Sequence, residues 1–474
     1  MVDIEVKPSD NLFKELGNNT YSYLDLLSEL IDNSIAARFS NKILNIIITI
    51  GKTNNNILKY IEIRDDAKGI SLERLGDAIS PGAIQSDDSL NEHGLGMKQA
   101  IASLGELDFL ITKTKSSDKA LKIRKFKWGS IPVKEEDVEW SYGTIIRIKN
   151  LKPIVESSNT TYSKTISSYL GARYRYFLKE ENPLVNLEIN MVDVENSNQI
   201  INKWLIKEIK PIYFHPNTRL NKPVVERKKF SGNEWEAELT FGYAPTDVEY
   251  ADLGISQPPQ YSPYNVSLSK QGLDIIRFNR VILFSQLSEI GLVNARHNQF
   301  NYIRGEIFLI KGFCTAITKN SMIMDDNFIE LINQIKNFLT NKSRNYLKFK
   351  TWNNEISDGV MRNRLANHLK KRTIDPKKEV DINVQIGNLS GLIDIIADGE
   401  IYKLKTKQAN GLDVYQLFAY LDMGPYNKGY YIAPDFTLDA DDAVQHIKNK
   451  HKKDILLVKT SEFPITHPLE PNEL

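Results

Sequence analysis

Apolar residues recur at helical spacing through 12–39, and the run that follows, 43–50, alternates apolar and polar positions as a half-buried strand does. Asn54, Asn55 and Asn56 then mark a turn, and a second strand is expected over 58–64. An Asp/Gly segment at 65–70, a polar loop at 80–93, a helix at 95–104 and strands through Ile148 complete the first third. Between 195 and 345 the pattern gives strand-like runs at 235–243, 274–284 and 305–313, then an amphipathic helix at 327–339. The Pro-, Ser- and Tyr-rich stretch 249–265 reads as a long surface loop. Beyond a polar stretch at 341–355, a helix at 358–372 precedes strand-like runs at 380–386 and 391–406 and a helix at 411–421. A short strand at 429–433, a helix at 439–451 and a last strand at 455–459 end the chain.

This alternation predicts an α+β protein, and 474 residues exceed one ordinary core, which suggests three domains at about 100 to 200 residues each. The composition shifts place them at 1–195, 196–345 and 346–474. With 41% hydrophobic and 26% charged residues, and no repeat period, neither disorder nor a solenoid is indicated. Lys and Arg number 61 against 60 Asp and Glu, so the net field gives no argument for nucleic acid. Local basic runs at 113–127 and at Arg362, Arg364, Lys370, Lys371 and Arg372 read first as solvated faces. Cys314 is the only cysteine, which excludes a disulfide framework or a cysteine metal site, and its apolar surroundings at 307–317 predict a core position. The first ten residues lack an apolar signal core, and no stretch is apolar enough to cross a bilayer, so a cytoplasmic protein without a membrane partner is expected.

Four separated segments carry residue types that ATP chemistry needs. In Glu29-Leu-Ile-Asp-Asn33, Glu29 and Asn33 are one helical turn apart and share a face. A carboxylate there can polarise an attacking water, and a neutral amide oxygen can ligate Mg²⁺. Asp65, at the end of a strand, can accept the adenine amino proton, and Gly69 lets the backbone approach the base. The stretch His93-Gly94-Leu95-Gly96-Met97-Lys98 opens a helix, so its free amides suit a phosphate and Lys98 adds charge. Thr144 begins a strand and could join the Asp65 network through its hydroxyl.

In order and spacing these segments resemble the GHKL class of ATP-binding proteins, the group of type II topoisomerases, MutL, MORC proteins and histidine kinases. The resemblance implies a Bergerat-fold α/β sandwich, with Glu29 as general base and Asn33 as Mg²⁺ ligand. It further implies Asp65 and Thr144 at adenine, with Gly94, Gly96 and Lys98 at the phosphates. Ala67 departs from the pattern, because the family usually has Gly there; a methyl could crowd the base or sit harmlessly on ordinary backbone angles. The middle segment resembles the transducer domain of dimeric members, which implies an α/β domain whose Lys319 reaches the γ-phosphate, and a homodimer on ATP binding.

In the last third, Gly391-Leu-Ile-Asp394 precedes Ile401-Tyr-Lys403-Leu-Lys405 and a helix with Gln416 and Tyr420. This resembles the PD-(D/E)xK nucleases, restriction-endonuclease-like α/β domains, and their RecB-like branch in particular. The resemblance implies Asp394 as a metal ligand and Lys405 as the lysine that assists water, with DNA as partner. Lys403 stands where the second acid is expected, and a cation there repels a divalent metal, so the nuclease is expected to be inactive. Glu400 is a possible substitute acid. The reading is an ATP-gated DNA nuclease suited to bacterial anti-phage defence, with room for a further defence-system subunit. Its rivals are a non-cleaving ATP-dependent DNA clamp and a chaperone-like ATPase.

Overall fold

The computed structural model describes residues 9, 11–82, 90, 94–216, 218–314, 323–341, 344–348, 358–372, 381–385, 393–463 and 465. His93, Lys319 and Gly391 lie outside the described residues. The chain forms two compact units, Met1–His215 with Asn221–Phe338, and Pro216–Leu220 with Leu339–Leu474.

In the first unit the helical pattern of 12–39 is broken into α1 (Asn11–Glu15) and α2 (Tyr23–Ala36). Ser22 starts α2 by a reciprocal cap: its hydroxyl accepts from the Asp25 N–H while the Asp25 carboxylate accepts from the Ser22 N–H. Eight strands make one sheet: β1 (Leu44–Lys52), β2 (Leu58–Asp65), β3 (Glu106–Lys113), β4 (Ala120–Ile123), β5 (Lys134–Glu136), β6 (Gly143–Lys149), β7 (Val185–Asp193) and β8 (Gln199–Leu205). Their order is β5-β4-β3-β6-β2-β1-β7-β8, with only β1 and β7 parallel. Period-two burial sends Ile46, Ile48, Ile61, Ile63, Ile146 and Ile148 to one face. There they pack with Leu27, Leu30 and Ile31 of α2 and with Ala100, Ile101 and Leu104 of α4 (Gly96–Leu104). Helix α3 (Leu72–Ile79) lies between the two binding segments, where the sequence pattern gave no element. The opposite sheet face is polar, and there Arg147 pairs with Glu62 at 2.6 Å and covers the Tyr60 ring.

Helix α5 (Ser167–Arg173) precedes β7, and beyond β8 the chain builds a second, five-stranded sheet in the same unit. Its strands are β9 (Val225–Ser231), β10 (Glu236–Tyr243), β11 (Gly272–Arg277), β12 (Arg280–Gln286) and β13 (Ile303–Lys311), in the order β12-β11-β13-β10-β9. The run 274–284 is therefore a hairpin, not one strand: Arg277 pairs with Arg280 across Phe278 and Asn279, whose φ values are 50° and 63°. Two positive φ values in a two-residue loop are the I′ pattern, which matches the twist of the flanking strands. The 249–265 stretch is also more than a surface loop, because Thr246 caps a helix at Asp247–Asp252 and Tyr264 is buried. Helix α6 (Asp326–Leu339) buries Phe328 against Phe313, which in turn packs on Trp235. Cys314 follows Gly312, where the chain turns off β13, and is exposed, contrary to the core position its apolar neighbours suggest.

The second unit carries α7 (Asp358–Arg372) and a small hairpin, β14 (Thr340–Asn341) with β15 (Arg344–Asn345). Its main sheet runs β16-β17-β18-β19-β20: β16 (Asp381–Val384), β17 (Ile393–Ala397), β18 (Glu400–Leu404), β19 (Lys428–Ala433) and β20 (Asp454–Lys459). The run 391–406 divides at Asp398-Gly399, both in the left-handed region, into β17 and its antiparallel partner β18. β18, β19 and β20 are parallel, and the crossovers carry α8 (Gly411–Met423) and α9 (Leu438–His451). No helix among the described residues is long and apolar enough to cross a membrane.

The two sheets of the first unit meet at buried charges. Arg175 is 2% exposed; its guanidinium donates to the Ala172 carbonyl and the Tyr264 hydroxyl and pairs with Asp274 and Glu306. Arg175→Met leaves both carboxylates buried without the guanidinium they share. It should lower the unfolding free energy by about 3–5 kcal/mol, read from the midpoint of a urea titration. Lys134→Met, which removes an exposed partner of Glu136, should leave that midpoint in place.

Candidate functional site

The edge of β2 supplies the most elaborated polar group of the first sheet. Asp65 Oδ2 accepts from the Ser34 hydroxyl at 2.7 Å, and its Oδ1 accepts from the Ala67 and Thr144 N–H groups at 3.0 and 3.1 Å. A carboxylate offers about four lone-pair positions, so one acceptor direction is left. Burial pushes the Asp65 carboxyl upward, and the three donors pull it back toward the ionised form. Behind it Thr112 accepts from the Ile70 N–H at 2.8 Å and lies 3.0 Å from the Thr144 hydroxyl. Gly69 has φ of +70°, and a Cβ there would come within 2.1 Å of the Lys113 carbonyl oxygen, so only glycine fits this close approach. Ala67 is buried in the core with an ordinary negative φ, which answers the departure seen in the sequence: its methyl packs inward and its N–H serves Asp65.

Glu29 and Asn33 stand on one face of α2, as their spacing predicts. Glu29 is 2% exposed, and the Asn33 amide donates to the Glu29 backbone carbonyl at 2.5 Å, which leaves the amide oxygen as the acceptor on offer. Gly96, the first residue of α4, lies directly against Glu29, since a Cβ on it would fall 1.9 Å from Glu29 Oε2. The end of α4 at Leu95 has no side-chain cap, so the first-turn amides of Gly96, Met97 and Lys98 remain as donors beside that carboxylate. Glu29 and Asn33 on α2, Asp65 on β2, Gly96 on α4 and Thr144 on β6 thus belong to one sandwich, with Gly69 and Gly94 in the segments just after β2 and just before α4. A glycine cradle, a neutral amide oxygen and a buried carboxylate suit a hydrated Mg²⁺ bridging phosphates.

Lys98 is buried and donates to the Gly94 carbonyl at 2.6 Å. Burial draws its ammonium down to about 8. Two residues of the site left no separable mark in the sequence. Ser34 is hidden because a helical Ser beside Asn33 has no signature. Thr112 is hidden because its partners, Ile70 in the turn after β2 and Gly143 and Thr144 on β6, are distant in sequence.

In the second unit Asp394 is also surrounded. Its Oδ2 accepts from the Leu404 N–H at 2.9 Å and lies 3.3 Å from Lys403 Nζ, while Oδ1 is 3.6 Å from the Arg362 guanidinium. Lys405 is paired with Asp413 at 2.7 Å, a residue that also caps α8. Glu400, the possible substitute acid, pairs with Lys428 at 3.0 Å. Tyr420 is buried in the core of this unit and Gln416, one turn earlier, is exposed. Among the described residues no group of three or more His, Cys, Asp and Glu is placed to hold a metal.

Residues 21–161 match the family model of the histidine kinase-, DNA gyrase B- and HSP90-like ATPases. The matched stretch begins just before α2 and includes all four segments of the first site, so this part of the chain is a GHKL-type ATPase domain. No curated protein matches the sequence.

The Lys98 geometry fixes the sign of a pH effect. Its free-state pKa is near 8, and an adjacent phosphate raises it, so above that pH the protein must take up a proton to present the ammonium. Affinity for a non-hydrolysable ATP analogue should therefore fall as pH rises from about 7 to 9.5, by up to about tenfold per unit above the free-state pKa. Lys98→Arg, which stays charged, should give a flat titration over that range. A flat wild-type profile would remove Lys98 from the anion site.

Proposed function

We propose that the chain is an ATP-binding and ATP-hydrolysing protein of the MORC- or MutL-like kind, dimeric when nucleotide is bound, whose C-terminal unit is a DNA-gripping nuclease fold disarmed by Lys403. The observation that carries the first half is the approach of Gly96 to the Glu29 carboxylate beside the uncapped start of α4. Glu29 would take the proton of the attacking water, the first-turn amides of α4 would bind the phosphates, and Asp65 would accept from the adenine amino group through its remaining lone pair. Asn33 is the residue to hold Mg²⁺, which when bound neutralises the phosphate oxygens.

The second half rests on the order helix, three antiparallel strands, helix, parallel strand in the C-terminal unit, with Asp394 and Lys405 at the positions of a nuclease acid and lysine. Lys403 and Arg362 occupy the surroundings of Asp394 with fixed positive charge, which favours phosphate contact over metal binding. ATP-driven closure of the dimer would then bring two such units together on DNA, with Lys319 as the middle-domain contact to the γ-phosphate. This pairing suits anti-phage defence. The non-cleaving clamp is the alternative, and the ion pairs on Asp394 favour it for the chain as it stands.

Two measurements separate these readings. In calorimetry with Mg²⁺ and a non-hydrolysable analogue, wild type and Glu29→Gln should both bind, while turnover in Glu29→Gln falls at least about 100-fold. No heat from folded wild type would remove the ATP site. Lys403→Glu restores two acids beside Lys405, and the nuclease reading expects it to cut plasmid with Mn²⁺ and ATP where wild type does not. If the variant retains DNA without cutting it, the clamp stands.

A further inference from the structure

The catalytic helix α2 has a second polar stripe. Asp25, Ser28 and Asp32 recur three and four residues apart, one face round from Glu29 and Asn33. Each is held from outside the helix. Arg173 donates to Asp25 at 2.9 Å and to the Ser28 hydroxyl at 2.8 Å, and Tyr174 donates to the Ser28 carbonyl and to Asp32 at 3.1 and 2.8 Å. The last contact comes from the second sheet, where Arg280 Nε lies 3.1 Å from Asp32 Oδ2 with both residues at most 3% exposed by side chain.

Arg280 is the first residue of β12, immediately after the hairpin tip Phe278-Asn279. Phe278 packs against the core of the first sheet, so the tip enters the ATPase sandwich and presents Arg280 to the back of α2. Helix α5 makes the complementary link: Arg173 and Tyr174 face α2, and the next residue, Arg175, pairs with Asp274 of β11 and Glu306 of β13.

We propose that Arg280 is a positioning residue for hydrolysis, fixing through Asp32 the rotation of α2 that aims the Glu29 carboxylate, so that turnover depends on the docked β11–β12 hairpin far more than nucleotide binding does. A helix rotated about its axis strands Asp32 opposite a buried guanidinium, and the low-dielectric interior makes that displacement costly. Its charge also acts on Glu29, which lies one turn before Asp32. Of the three donors to Asp65, Ala67 and Thr144 stand outside α2 and only Ser34 is carried by it. The proposal rests on the ATPase reading above and adds the source of the alignment.

The test uses the full chain, with steady-state ATP turnover and calorimetric titration of a non-hydrolysable analogue with Mg²⁺. Arg280→Gln should lower kcat about 10- to 100-fold, as a small misplacement of a catalytic group does, with analogue affinity within about threefold of wild type. Arg280→Lys keeps the charge and should recover part of kcat, which a loss of packing alone would not grade in this way. Should Arg280→Gln not fold, Asp32→Asn with Arg280→Gln strands no buried charge and answers the same question. Reduced kcat in that double variant, no lower than in Asp32→Asn alone, supports one coupled unit. Wild-type kcat in folded Arg280→Gln or in the double variant overturns the proposal and leaves the ATPase reading intact. Absence of turnover in wild type that binds the analogue overturns the hydrolysis reading and this proposal together.

Discussion

The first unit depends on a chain of buried opposite charges, because neither of its sheets could carry these groups alone. Asp32 and Asp274 on one side, Arg175 and Arg280 on the other, are removed from water on folding, and each would impose a desolvation penalty of several kcal/mol if left single. They are offset only in register, with Arg173 and Tyr174 directed toward the helix and Arg175 toward the second sheet. Apolar contacts tolerate small slides between layers; these ion pairs do not, since Arg175 meets Asp274 and Glu306, and Arg280 meets Asp32, at one relative position. The orientation of α2 is therefore a property of the whole unit, and Glu29 inherits it.

The same economy of donors shapes the Asp65 end of the site. Asp65 is not an isolated acid on a strand end: Ser34 comes from α2, Ala67 from the turn, and Thr144 from β6, so three elements meet at one carboxylate. Thr112 adds β3 through its contact with Thr144. The two ends of the site are thus fixed by different means, hydrogen bonds from uncharged donors at Asp65 and ion pairs at Asp25 and Asp32 on α2.

What the sequence revealed and what it hid follow from the range of the forces involved. Glu29 and Asn33 were legible because their relation is one helical turn, and α4 because glycines and a sudden apolar period mark its start. The core strands β1, β2 and β6 were legible from alternation. The hairpin at 272–286 was not, because its turn is made by Phe278 and Asn279 in place of the Gly that usually announces two positive φ values. Helix α3 also went unmarked, since only Leu75 and Ala78 of its residues are buried. Arg280 could not be read at all: its partner lies some 250 positions earlier, and a strand arginine has no local signature. Tyr420 carries the opposite lesson, since a residue at a motif spacing proves to be core.

Lys403 places a counter-ion next to Asp394 that is bound to the same chain. A metal at such a position would be filled or empty according to its free concentration, and lost to a chelator; a tethered ammonium has a local concentration that does not vary with the medium. The charge state of this strand pair is consequently insulated from the cell's supply of divalent ions.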